Sequence, residues 1–96
     1  MIAEDIDDKF YNRADAFIDL ANEHCGTVER AKVSASLMYS AARFNSWLSA
    51  TGCRSGEQMR DEKSARIENF IAQYRAMLEE NMDNYIKNFD DYMMPG

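Results

Sequence analysis

The polar side chains with most chemical potential lie mid-chain. Tyr39, Arg43 and Asn45 interrupt a stretch that is otherwise small and apolar. A helix puts Tyr39 and Arg43, four residues apart, on one face. Tyr39, Arg43 and Asn45 suit a small ligand pocket in which Arg43 binds an anion; alternatively the acids of helix 1, Asp15 and Asp19, face the pocket. The same groups also suit a structural network in which Arg43 bonds Asp15 or Asp19, because partly buried polar groups need partners. Asp15, Asp19 and Glu23 recur every four residues and share a helix face, followed by His24 and Cys25. Clustered carboxylates hold metal ions in helical bundles, but such sites take Glu-x-x-His pairs from two helices. Here the residue three before His24 is Ala21, and His24 is the one histidine of the chain. Consecutive helical residues point about 100° apart, so Glu23, His24 and Cys25 do not converge on one ion. The expectation is no metal site. The acids form a solvated face, and His24 suits the negative end of a helix dipole.

Nothing in the chain matches a phosphate loop, a nucleophile elbow or a dinucleotide fingerprint. The turn Gly52-Cys53-Arg54-Ser55-Gly56 lacks a lysine and a preceding strand. No catalytic residue and no cofactor are expected, and an enzymatic role is not favoured. Cys25 and Cys53 fall at opposite ends of one helix roughly 36 Å long. A disulfide needs Cα atoms within about 7 Å, so two reduced thiols are expected, as in a cytoplasmic protein.

Composition narrows the class further. Ninety-six residues allow one helical domain over 1–96, and 46% apolar content is too high for a disordered chain. Seventeen acids against eleven bases give a net charge of −6. That acidic balance argues against nucleic-acid binding. It is unevenly spread: residues 1–25 carry −5, residues 26–66 carry +3 and residues 67–96 carry −4. A basic middle between acidic ends allows the segments to attract one another within a fold or across an oligomer. The acidic start is unlike a secretory leader, and no apolar run approaches the ~20 residues that span a bilayer. Neither a membrane nor a nucleic acid is an expected partner, and the cytoplasm is the expected location.

The elements that must carry these groups are helices, since the apolar spacing follows a helical period throughout. Helix 1 is expected over Ile6–Cys25, with Asp5 as N-cap and Ile6, Phe10, Ala14, Phe17, Ile18 and Ala21 buried. Helix 2 is expected over Val28–Thr51, with Thr27 as N-cap and Gly26 and Gly52 as left-handed helix ends. Its Ala31, Ser34, Ala35, Ser36, Ser40, Ala41 and Ala42 allow close approach, which makes it the central helix, covered on more than one side. Helix 3 is expected from Gly56 to near Met93, with Ser55 and Gln58 as a capping box. Its apolar stripe is Ile71, Tyr74, Leu78, Met82, Tyr85, Phe89 and Met93. The steps of three and four repeat over eleven residues, which keeps a stripe on one side of a straight helix. Glu62 with Arg66, and Asp83 with Lys87, are i,i+4 pairs in the favoured order.

This pattern gives an all-α helical bundle, an antiparallel helical hairpin packed on a long third helix. At 1.5 Å per residue helix 3 runs roughly 57 Å and outreaches the hairpin. The overhang holds Tyr85, Ile86, Phe89, Tyr92 and Met93, and an apolar patch of that size marks an interface. A break near residues 80–83, folding the end back as a fourth helix, is the alternative. It is the weaker one, because no glycine or proline sits there.

Three stretches resemble a small bacterial family. They are Phe10-Tyr11-Asn12-Arg13-Ala14-Asp15-Ala16-Phe17-Ile18, then Lys32-Val33-Ser34-Ala35-Ser36-Leu37-Met38-Tyr39 running on to Arg43-Phe44-Asn45, and Gln73-Tyr74-Arg75 with Met77-Leu78-Glu79-Glu80-Asn81. The family is called domain of unknown function 3144. The resemblance covers nearly the whole chain and implies a free-standing bacterial protein. It brings no activity, substrate or catalytic residue. The expected function is therefore a self-associating protein–protein interaction module, a homo-oligomer that can also offer a helical surface to another protein. A small-ligand or metal-binding bundle is the alternative.

Overall fold

The computed structural model describes residues 6–94. Four helices occupy them: α1 (Phe10–Cys25), α2 (Arg30–Thr51), α3 (Gly56–Lys87) and α4 (Phe89–Met93). The described chain is all-α, as its spacing predicts, and its third helix is the long one. It divides into two units, one reaching Arg60 and one starting at Asp61.

In the first unit α1 packs on α2 as a hairpin. The turn between them is closed by α1's own end. The His24 carbonyl accepts the N–H groups of Thr27 and Val28, at 3.1 and 3.0 Å, and the Thr27 hydroxyl donates to the same oxygen at 3.4 Å. Thr27 is thereby committed to ending α1 and does not cap α2. Glu29 takes that position, and α2 begins two residues later than expected. The glycines also differ from expectation. Gly26 has φ −69° and Gly52 φ −94°, so neither is left-handed.

Helix α1 starts at Phe10 and not at Ile6. The Asp7 carbonyl accepts the Phe10 N–H in a turn, and the Asp7 carboxylate pairs with Arg13 at 2.8 Å. The carboxylate of Asp7 thus bridges to the second turn of α1. The expected cap, Asp5, lies outside the described residues. Phe10, Ala14, Ala21 and Cys25 are half-buried, whereas Phe17 and Ile18, expected inside, are exposed.

The larger correction concerns α2. It is not covered on more than one side: among the described residues only Val33 and Ser49 are buried, while Tyr39 is 70% and Trp47 60% exposed. Small residues do allow close approach, but α1 occupies only one side of the helix. Two hydroxyls are satisfied within α2, Ser46 donating to the Ala42 carbonyl and Thr51 to that of Leu48.

The start of α3 follows its sequence signal. The Ser55 hydroxyl accepts the Gln58 N–H at 3.1 Å, and the Gln58 carboxamide oxygen accepts the Arg54 N–H at 2.8 Å. The reciprocal bond thus lands one residue earlier than in the usual capping box. Glu62 and Arg66 pair at 2.8 Å as expected. Asp83 and Lys87 form no ion pair, and Arg75 reaches toward Glu79 instead, at 3.9 Å.

The helix passes through residues 80–83 without a break and is interrupted at Asn88. Asparagine tolerates non-helical angles because its side chain bonds nearby backbone. Here the Asn88 carboxamide donates to the Asn84 carbonyl at 3.1 Å, the acceptor that the Asn88 N–H also uses. The interruption is slight. Tyr92 N–H bonds the Asn88 carbonyl, and the Tyr85 and Tyr92 rings lie 4.7 Å apart across it. Phe89 and Met93 therefore extend the stripe on α4.

Two outcomes follow from these caps. Ser55→Ala should cost about 1 kcal/mol in urea unfolding, as loss of an N-cap does. The Arg13 hydrogen bond, with its charge, holds Asp7 below the usual carboxylate range. A lowered folded value means that this pair stabilises above the unfolded value and is lost as pH falls through the folded one. An NMR titration of the Asp7 carboxyl should show a lowered midpoint, returning to the ordinary value in Arg13→Ala.

Candidate functional site

Three of the apolar depressions on the described residues each belong to a single unit. The first is the groove between α1 and α2, about 370 Å³, with Phe17, Leu20 and His24 on one wall and Val28, Val33 and Leu37 on the other. Its pairing of Phe17 with the middle of α2 and His24 with the start of α2 follows from antiparallel packing. The sequence reading missed it. Its signal was present, since Val28, Lys32, Ser36 and Ser40 recur every four residues.

The second depression lies on the outer face of α2. Tyr39, Arg43, Phe44 and Trp47 line it, with Ser40 and Ala50 between them. The Phe44 and Trp47 rings pack at 5.4 Å. Tyr39 and Arg43 therefore do share a face, and the face is aromatic and exposed. Asn45 lies two positions on, about 200° round the helix, and is half-buried. Asp15 and Asp19 are exposed on α1, and no ion pair joins either to Arg43. The five candidate ligand residues are thus spread over three faces.

The third depression is a shallow hollow along α3 formed by Ile71, Tyr74, Leu78 and Met82, edged by Arg75, Glu79 and Asp83. It is the first half of the expected stripe. Tyr85, Ile86, Phe89, Tyr92 and Met93 continue the apolar surface and are about half exposed or more, Ile86 reaching 72%. All of the expected interface residues therefore lie on one uncovered surface of the second unit, across the Asn88 interruption. The less exposed face of α3 holds Phe70, Gln73 and Met77, one residue round from the stripe.

Groups that could carry other chemistry are placed differently. Cys25 and Cys53 are both free and half-buried. Among the described residues no three of the metal-ligating types cluster, and no helix is long and apolar enough to cross a membrane.

A helical hairpin and a long striped helix, with open apolar faces and basic or acidic edges, define a small all-helical protein. The chain belongs to the family described as protein of unknown function (DUF3144), whose model matches residues 10–86. It is also similar to a solved structure, the NMR structure of the protein NB7890A from Shewanella sp. That protein is 36% identical, with a TM-score of 0.77 over 96% of this chain and 98% of the other. No curated protein matches the chain. The family match ends at Ile86, so Phe89, Tyr92 and Met93 lie beyond it.

The scattered acids of α1 should not bind metal. Isothermal titration with zinc should give no stoichiometric binding, and Asp19→Asn should leave the melting temperature unchanged in zinc-free and zinc-containing buffer.

Proposed function

We propose that this chain is a self-associating helical interaction module, completed as one domain when a second copy covers its apolar faces. The observation that carries the reading is the uncovered stripe of α3 and α4. Its seven side chains, Ile71, Tyr74, Leu78, Met82, Tyr85, Phe89 and Met93, are each 40–57% exposed. Large apolar side chains offer about 200 Å² apiece, so half-exposed ones present roughly 700 Å² together. A stable interface needs about 800 Å² per partner, so the stripe comes close to supplying one. Fully burying such a side chain contributes ~1.5–3 kcal/mol, and half of that remains to be gained at each position.

Methionine and tyrosine suit such a contact, one by adaptability and the other by its polar tip. The two free thiols support a reducing, cytoplasmic setting.

Light scattering on a sizing column should give a mass that is a multiple of the single chain. Tyr85→Glu with Phe89→Glu should leave a soluble, helical species of smaller mass. A wild-type protein that stays a single chain at tens of micromolar would remove this function, as would an assembly whose size the double variant does not change.

A further inference from the structure

Charge separates the apolar faces into two kinds. The α2 face lined by Tyr39, Phe44 and Trp47 carries Arg43, and helix α2 has no acid at all. The stripe is edged by Glu79 and Asp83 against Arg75, and residues 84–94 add Asp90 and Asp91 against Lys87. Both surfaces are exposed within one copy, Tyr39 and Trp47 on α2 and Tyr85 and Phe89 on the stripe. Two α2 faces brought together would oppose bases with bases. Two stripes brought together would oppose acids with acids. Like charges across an interface carry a penalty that unlike charges do not. Shape points the same way. The α2 face alternates bulky Tyr39, Phe44 and Trp47 with small Ser40 and Ala50, leaving a hollow of about 650 Å³. The stripe, though shallowly hollowed between Ile71, Tyr74, Leu78 and Met82, presents large side chains that can enter it.

We propose that the α2 face of one copy receives the acidic-edged apolar stripe of a second copy. With two-fold symmetry the contact occurs twice, each copy giving its stripe and receiving its partner's. Arg43, set beside Phe44 and Trp47, faces the acidic edge of the partner's stripe at Asp83 and Asp90. The inference rests on the self-association proposed above and names the surface that receives the stripe.

Charge reversal with mixing tests it. Arg43→Glu alone, and Asp83→Lys with Asp90→Lys, should each weaken self-association at least about tenfold while circular dichroism stays helical. An equimolar mixture of the two variants should recover the wild-type mass, because each contact in the mixed pair is again between unlike charges. A fold-back within one chain gives no such recovery. Salt gives a second test on the unaltered protein: association between unlike charges weakens as salt rises, and association between like charges strengthens. If the wild type associates but Arg43→Glu matches it, or salt strengthens the assembly, the α2 face is not the receiver and this inference falls while self-association stands. If the wild type does not associate at all, both fall.

Discussion

A helix in water is marginal until an apolar face is buried, and this constraint governs every element of the chain. Backbone hydrogen bonds fix the geometry of α1, α2 and α3 but leave little free energy over once chain entropy is met. The hairpin gains its share through the α1–α2 contact, where Val33 is buried and Phe10, Ala14, Ala21 and Cys25 are half-buried. Helix α3 carries Ile71, Tyr74, Leu78, Met82 and Tyr85 on a stripe that is about half exposed. The described residues therefore leave much of their apolar surface in contact with water.

The polar groups follow the same logic from the other side. Several hydroxyls and carboxamides are spent on local backbone: Ser46 on Ala42, Asn81 on Met77, Asn88 on Asn84. Charged groups pair within a few residues, Arg13 with Asp7 and Arg66 with Glu62. Arg75 and Glu79 make the same local choice at 3.9 Å, while helix α2 keeps three bases and no acid, and residues 79–94 hold five acids against Lys87.

Helix number and the exposed stripe were legible because they depend on spacing within one segment. Steps of three and four from Ile71 to Met93 fix a face whatever surrounds it. The capping signal at Ser55 and Gln58 was legible for the same reason. Boundaries were less so, since two elements competed for one residue: Thr27 had the chemistry to start α2, but the end of α1 reached it first. The central position assigned to α2 failed on a different ground. Small residues state that a neighbour can come close, and they are silent on how many neighbours arrive. Of Tyr39, Arg43 and Asn45, the first two share a face by their spacing and the third stands off it through simple helical geometry. Two residues of separation turn a side chain away from its companion. The groove between α1 and α2 escaped notice because it belongs to neither helix alone.

The interruption at Asn88 gives the end of the chain a life of its own. A five-residue helix does not persist by itself, and α4 is tied back by a shared carbonyl at Asn84 and the Tyr85–Tyr92 ring contact. Tyr92 serves two ends at once: its ring closes the contact with Tyr85 while about half of the residue stays open to solvent, so any change that draws that ring outward loosens the last turn from α3.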